Sequence, residues 1–339
     1  MKLKKLLSLG MTTVLSASLL IGCSSNEGTT EGEKIKVAMI TDVAGVNDQS
    51  FNQSAWEGLE LAKKELGVEV SYLESKQDSD YMPNIETLVD QEVDLIVGVG
   101  QKLAGAIEEG AKLYPDQKFA IVDETVEADN VESILFNSEQ SAYLVGLIAG
   151  KMTETNKVGF IGGMQLPVID TFKYGYMAGV KAANPDVEIL DQYANSFTDQ
   201  AKGKAIAQQM YSKGADIIFT AGGDVGTGAI ETAKELGKYA IGVDRDQSDL
   251  APDNVITSAI KRVDIGIYET VKKLLDGKFE GGVSTTYGLE EGAVGVADTT
   301  SNLVSQDILD FVNEQIEKFK TGELTAPKTK AEYEAIVNK

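Results

Sequence analysis

The side chains that could do chemistry in this sequence are carboxylates and aromatic rings, because histidine is absent and Cys23 is the single cysteine. Serine–histidine–aspartate triads, cysteine–histidine dyads and histidine-based metal sites are therefore excluded, while carboxylate chemistry remains open. The chain has 53 acidic and 31 basic residues, a formal net charge of −22. Such a surface repels nucleic acid and phosphate-rich ligands. We expect no nucleic-acid partner, no metal and no cofactor.

One aromatic ring lies where a core residue is not expected. Phe51 occurs in the polar run "NDQSFNQSAWEGL" (47–59), just past the first predicted strand and at the start of an amphipathic helix. It can stack on a planar ligand, or it can pack under the loop as a hydrophobic staple for its helix. Stacking contributes roughly 1–3 kcal/mol per stacked face. Two stacked faces fall short of the ~8 kcal/mol of micromolar affinity, so hydrogen bonds must supply the remainder.

Polar residues around this ring have two interpretations. Asn47, Asp48 and Ser50 can each cap the helix, and capping is preferred for the latter two. Asp42, at the strand end, and Asn52 are better placed to meet the edge of a planar ligand. A carboxylate accepts from ring N–H or amino groups, and an amide both donates and accepts.

The elements that must position these side chains come from an internal duplication. The run "KVAMI" at Lys36 returns as "KVGFI" at Lys157, 121 residues later, and the same offset relates Asp123 to Asp244. Several further landmarks keep that spacing, which indicates a true repeat. Each half alternates continuous apolar runs with helical patterns, which predicts parallel sheets with right-handed crossovers. The sequence thus predicts two similar α/β lobes whose strand ends face a ligand cleft.

The amino-terminal segment predicts export and a lipid anchor. Lysines at 2, 4 and 5 precede an apolar stretch (6–21) that ends in "LLIGC", which resembles a bacterial lipobox. We therefore expect a signal peptide at 1–22, a lipidated Cys23 carrying acyl chains such as palmitate, and a flexible polar tether at 23–33. An ordinary signal peptide with a chance cysteine is the alternative.

The runs "TDVAGVNDQSFNQSAWEGL", "GADIIFTAGGDVGTG" and "IGVDRDQ" resemble the basic membrane protein family of ABC-transporter substrate-binding lipoproteins, which includes purine-nucleoside receptors. The resemblance implies a type I periplasmic-binding-protein fold with two Rossmann-like lobes. It also implies a monomer at the cell membrane that delivers purine nucleosides to an ABC permease and its ATPase, without enzymatic activity. We assign 34–138 plus about 257–290 to the amino-terminal lobe, and 139–256 plus about 291–339 to the carboxy-terminal lobe.

The resemblance also implies roles for individual residues. Phe51 and Phe197 would stack on opposite faces of the base, although Phe172, the repeat mate of Phe51, could replace Phe197. Asp244 would hold the ribose hydroxyls, with Lys261 also meeting the sugar. For Asp244 a helix cap or an interlobe salt bridge, and for Lys261 a surface position, are the alternatives.

Two further features complete the predicted site. Asp123 would serve the base, with a cap or an interlobe salt bridge as the alternative. The run "GGDVGTG" (222–228) lacks the lysine of a phosphate loop, so Gly226 more plausibly lets the backbone approach an uncharged ligand. A same-fold receptor for a sugar or a signalling molecule remains open, as does a nucleoside hydrolase that uses Asp42 and Asp48 as a calcium pair.

Overall fold

The computed structural model describes residues 34–337, and these form part of one compact unit. The predicted signal peptide (1–22), tether (23–33) and lipidation site Cys23 lie outside the described residues. Across 34–337, every helix is too short or too polar to cross a bilayer.

Twelve strands in the described residues form two six-stranded sheets with the same internal order. The first sheet is parallel throughout and has the order β11-β5-β4-β3-β1-β2. Its strands are β1 (Lys36–Ile40), β2 (Glu69–Leu73), β3 (Leu95–Val99), β4 (Lys118–Val122), β5 (Val131–Phe136) and β11 (Val283–Tyr287).

The second sheet has the order β12-β10-β9-β8-β6-β7 and is parallel except for the β10–β12 pair. Its strands are β6 (Lys157–Gly162), β7 (Glu188–Tyr193), β8 (Ile217–Ala221), β9 (Tyr239–Asp244), β10 (Val255–Lys261) and β12 (Val294–Val296). The matching strand orders confirm the duplication that the 121-residue spacing predicts.

Helices separate the first four strands of each half, as the alternating pattern predicts, whereas within 34–337 the β4–β5, β9–β10 and β11–β12 connections contain no α-helix. They are α1 (Phe51–Leu66), α2 (Tyr81–Asp90), α3 (Ala104–Leu113), α4 (Ser138–Met152), α5 (Pro167–Ala183), α6 (Gln200–Ser212), α7 (Asp224–Leu236), α8 (Val263–Leu275), α9 (Gln306–Lys320) and α10 (Lys330–Val337). The central strands β3 and β8 are buried at every residue, because parallel sheets of this kind are covered on both faces.

The chain crosses between the sheets after β5, after β10 and between β11 and β12. Strand β10 pairs with β9 as far as residue 260 and with β12 through Lys261, so it belongs to the second sheet. Helix α8 then packs on α1, where Val263 and Ile267 share a core with Leu59. The second crossover therefore falls at 261–263, not at about 257. With that boundary moved, we keep the division into two lobes as a proposal.

Candidate functional site

A cavity lies at the carboxyl ends of the strands. Its lining comes from residues that follow β1, β3 and β4 of the first sheet, from the ends of β9 and β10, and from residues that follow β6, β7 and β8. About 610 Å³ of space lies between the lining residues, and part of it is open to solvent. Most of the predicted ligand residues line it: Asp42, Phe51, Asn52, Asp123, Phe197, Asp244 and Lys261. The topology thus gathers residues from both halves of the sequence into one wall.

Gly226 is absent from the residues that line this cavity. It lies inside α7, where an added Cβ would be 2.8 Å from Thr220 Oγ1, so the glycine allows the helix to pack on β8. The lining glycines are instead Gly100, Gly222 and Gly223. The placement of Gly226 at the ligand was wrong. Helix α7 begins at residue 224, so Gly226 lies on the side of the helix that faces β8 and not the cavity.

Each predicted stacking ring rests on a glycine turn of its own half. Phe51 is the first residue of α1, and its Cε1 lies 3.3 Å from where a Cβ on Gly100 would be. The Phe197 ring overlaps the Cβ position of Gly163, with Cδ1 at 2.3 Å. Glycine is required where a ring lies this close to the backbone. These turns hold both rings at the cavity wall.

Phe172 also lines the cavity but is anchored differently. Because α5 begins at Pro167, Phe172 lies in the second turn of the helix, where it is buried. Its ring packs edge-to-face on Phe219 with centroids 6.2 Å apart. Phe197 is only partly buried. Both rings therefore reach the cavity, and Phe172 is the more strongly tied to the core.

Asp48 caps helix α1, as its interpretation predicts. It accepts backbone N–H groups from Ser50 (2.9 Å), Asn52 (2.8 Å) and Gln53 (3.1 Å). Burial raises the pKa of the Asp48 carboxyl to about 6, although those hydrogen bonds act in the opposite direction. The capping interpretation was wrong for Ser50, whose hydroxyl instead donates to Asp244 Oδ2 at 2.6 Å across the cavity.

Asn52 and Asp42 are tied to each other. The Asn52 amide donates to Asp42 Oδ1 (2.8 Å) and Asp48 Oδ2 (2.9 Å), which uses both of its hydrogens. Asp42 Oδ1 also accepts from the Ala44 N–H at 3.0 Å. Burial is the main cause of a raised pKa at Asp42. In this arrangement Asn52 orients Asp42 and keeps no free donor for a ligand.

Two equivalent acids and one lysine form the charged centre. Lys261 Nζ lies 2.6 Å from Asp123 Oδ2 and 3.7 Å from Asp244 Oδ1, and 4.4 Å from the centroid of the Phe51 ring. All three charged side chains are at least nine-tenths buried. The interlobe salt bridge considered for Asp123 is present, since this residue follows β4 and Lys261 ends β10. Lys261 itself is buried, so the alternative of a surface lysine was wrong.

Burial and charge act together on this centre. Burial raises the pKa of Asp244 to about 6, although Lys261 and Ser50 act to lower it. For Lys261 burial favours the neutral amine, but Asp123 and Asp244 outweigh it and raise the lysine pKa. Both acids also have a positive φ, 67° at Asp123 and 64° at Asp244, which is uncommon outside glycine. Strained backbone of this kind clusters at ligand sites.

The comparisons with known proteins decide the family. The model for PnrA-like ABC transporter substrate-binding proteins (Bmp) matches residues 35–330. A "CD4+ T-cell-stimulating antigen" of Listeria monocytogenes is 42% identical, covering 96% of this chain and 99% of that protein. An "ABC transporter nucleoside-binding protein BmpA" of Lactococcus lactis is 38% identical, with the same coverage. This chain belongs to the PnrA-like family of ABC transporter substrate-binding proteins.

Solved structures agree with this PnrA-like assignment. A solute-binding protein of an ABC transporter system from Aeropyrum pernix K1 superposes with a TM-score of 0.82 and 29% identity, covering 90% of this chain and 96% of that one. Another from Conexibacter woesei gives a TM-score of 0.71 and 27% identity, covering 87% and 99%. The periplasmic-binding-protein fold is thus confirmed. Proteins of this family bind substrates for transport rather than convert them, which implies an extracytoplasmic location.

In this PnrA-like chain several residues that line the cavity were not predicted from the sequence motifs. The second half contributes an apolar wall that includes Leu166, Val168 and Ile169, and the first half contributes Gln101 and Lys102. A signal for the apolar wall was present, because the 121-residue offset carries the loop at 41–50 onto 162–171. Polar residues drew the sequence interpretation to the first loop, and its apolar mate resembled ordinary helix packing.

Proposed function

We propose that this PnrA-like protein captures purine nucleosides and delivers them to an ABC permease while Cys23 anchors it to the outer face of the cell membrane. The observation that carries the proposal is the position of Phe51 and Phe197, which line one cavity from opposite halves of the chain. One ring from each half suits a flat base stacked on both faces, and stacking contributes roughly 1–3 kcal/mol per face. The relative from Lactococcus lactis that is named as nucleoside-binding supports the same ligand class.

The charged centre suits the sugar. Asp244 can accept from two hydroxyl groups on adjacent carbons, and charge-assisted bonds contribute about 1.5–3 kcal/mol each. Lys261 offers donors to the same oxygens, and Asp42 offers an acceptor to the base edge. Acids outnumber lysines along the cavity wall, which disfavours nucleotides and other phosphates.

Hydrogen bonds and ion pairs between the halves give ligand binding a way to signal to the permease. Ser50 bonds to Asp244, the Gln49 carbonyl accepts from Gln247 Nε2 at 2.9 Å, and Glu57 pairs with Arg245. A ligand that bridges the lobes favours this closed arrangement by population shift. The closed surface is then what the permease recognises.

Calorimetric titration of residues 24–339 against guanosine, inosine, adenosine, cytidine and ribose tests the proposal. Binding of the purine nucleosides without release of free base supports it. Binding of ribose with no response to nucleosides would indicate a sugar receptor. Free base detected in the calorimeter cell after the titration would indicate a nucleoside hydrolase. Replacing Cys23 with alanine should move the full-length protein from the membrane fraction to the medium.

A further inference from the structure

Gln101 carries a buried hydrogen-bond acceptor that is not paired with any other residue that the structure describes. It follows β3 and Gly100 and lines the cavity. Its Oε1 is buried and lacks a hydrogen-bond partner among the residues that the structure describes. Of the buried side-chain oxygens without a partner in 34–337, this is the one that belongs to a cavity residue. A buried acceptor left unpaired costs free energy, so a ligand that satisfies it is favoured.

Glu124 fixes which end of the Gln101 amide is available. Gln101 Nε2 donates to Glu124 Oε2 at 2.5 Å, and Glu124 Oε1 accepts from the Thr125 N–H at 3.0 Å. A carboxylate only accepts, so it holds the NH₂ end of the amide and leaves the carbonyl oxygen free. At this lining residue the atom without a partner is therefore the acceptor oxygen and not the amide donor.

The position of this acceptor relates it to the stacking ring. The Phe51 ring lies against Gly100, the residue directly before Gln101. A planar group stacked on Phe51 brings its edge beside the same turn. Hydrogen bonds to a base are made at its edge, in the plane of the ring.

We propose that Gln101, held by Glu124, determines specificity by requiring an N–H donor on the edge of the base. This inference rests on the proposed function and names the substrate class more closely: nucleosides whose base carries an amino or lactam N–H group. A base without one would leave Oε1 unpaired. A site built around a hydrogen bond rejects the analogue that lacks it, here by roughly tenfold to a hundredfold in Kd.

The chain offers a matched control. Gln53 Nε2 donates to Glu57 Oε1 at 3.1 Å, and Gln53 Oε1 is likewise buried without a partner in the described residues. Gln53 does not line the cavity. Gln53→Leu therefore removes the same kind of amide from the same kind of pair, but away from the ligand.

The experiment compares Kd values for inosine, guanosine and adenosine with that for purine riboside, whose base has no N–H donor. In the wild type and in Gln53→Leu we expect the tightest donor-bearing nucleoside to bind roughly ten to a hundred times better than purine riboside. In Gln101→Leu this ratio should fall by at least about threefold, with purine riboside itself not weakened, and the discrimination that remains is assigned to Asp42. Glu124→Gln should lower the ratio partly, because the amide of Gln101 can then turn.

An unchanged ratio in Gln101→Leu, or an equal fall in Gln53→Leu, would overturn the inference while nucleoside binding itself stands. A wild type that binds none of these nucleosides would overturn the proposed function instead. If Gln101→Leu fails to fold, Glu124→Gln gives the same decision, since an unchanged ratio there contradicts the fixed amide.

Discussion

The loops that follow β1 and β6 occupy equivalent places in the duplication, but their chemistry differs. Residues 41–50 read "TDVAGVNDQS", and residues 162–171 read "GGMQLPVIDT". In the first loop Asp42 and Asp48 are buried within hydrogen bonds. In the second, the positions that reach the cavity include Val168 and Ile169. The duplicated frame keeps its strands while one copy supplies hydrogen bonds and the other supplies apolar cover.

Two further pairs of positions follow the same division. Gln101 corresponds to Gly222, which has no side chain and lies against Gly163 beneath Phe197. Glu124 corresponds to Arg245. Glu124 orients a cavity residue within its own half, whereas Arg245 reaches across to Glu57. At these two positions the first half supplies polar side chains, whereas the second half supplies support for a ring and an ion pair between the halves. The charged groups of the second half at the cavity are Asp244 and Lys261.

Exchanging one residue between the two loops should have the largest effect. Ile169 is the repeat mate of Asp48, and Ile169→Asp places a carboxylate in the apolar wall without the three N–H donors that satisfy Asp48. We expect the free energy of unfolding to fall by about 3–5 kcal/mol, the usual cost of an uncompensated buried charge. Urea denaturation measures it. Gln165→Asp, on the exposed side of the same loop, should change stability by less than ~0.5 kcal/mol. Equal effects at the two positions would refute the division.

Alanine variants of the two candidate rings of the second half should differ in stability and in nucleoside affinity. Phe172→Ala removes a core side chain packed on Phe219 and should destabilise the protein by about 3–5 kcal/mol. Phe197→Ala should leave stability nearly intact but weaken nucleoside binding by about 1–3 kcal/mol, one stacked face. Thermal denaturation and calorimetry on both variants decide this. Intact affinity in Phe197→Ala would assign the second ring to Phe172.

The sequence predicted most of the frame, and the failures were contacts between distant parts of the chain. The similarity of the two halves follows from a repeat spacing that can be counted, and the cap at Asp48 depends on neighbours within five residues. Ser50 was assigned a local cap, but its partner Asp244 is 194 residues away. Gly226 was misplaced because the first residue of α7 decides which way it faces. Local patterns describe neighbours in the chain, and a cleft is made of residues from separate lobes.

Acid pH should act on stability and binding in opposite directions. The pKa of Asp244 is about 6 in the folded protein and near 3.8 in the unfolded chain, so the folded state binds the proton more tightly. Its contribution to stability is therefore present below pH ~4 and is lost as pH rises to ~6, about 2–3 kcal/mol in all. The proposed contact with the ribose needs the carboxylate, so we expect nucleoside affinity to fall up to tenfold per unit below pH 6.

Asp244→Asn is the variant that isolates this group. Denaturation and calorimetry between pH 4 and 7 should show both pH dependences reduced relative to the wild type. The part of the stability profile that remains includes Asp48, whose pKa burial also raises to about 6. A variant with the wild-type slopes in both measurements would show that Asp244 is not the titrating acid of the cavity.

The smallest expected effect concerns closure. Arg245 Nη2 lies 2.9 Å from Glu57 Oε1, with the side chains 24% and 45% exposed. Exposed pairs contribute about 0–1 kcal/mol and are screened by salt. Arg245→Gln should therefore weaken nucleoside binding by no more than about fivefold, and less at high ionic strength.

Lys204→Gln is the matched control, because Lys204 pairs with Glu231 at 2.6 Å within the second half and both side chains are 41% exposed. It should leave the Kd unchanged, since that pair spans no interlobe gap. Calorimetry at low and high salt measures both variants. If Arg245→Gln weakened binding more than tenfold, or equally at both salt concentrations, the Arg245 side chain would be part of the ligand site. Arg245 would then join Asp244 and Lys261 among the polar residues of the second half that are proposed to contact the ligand.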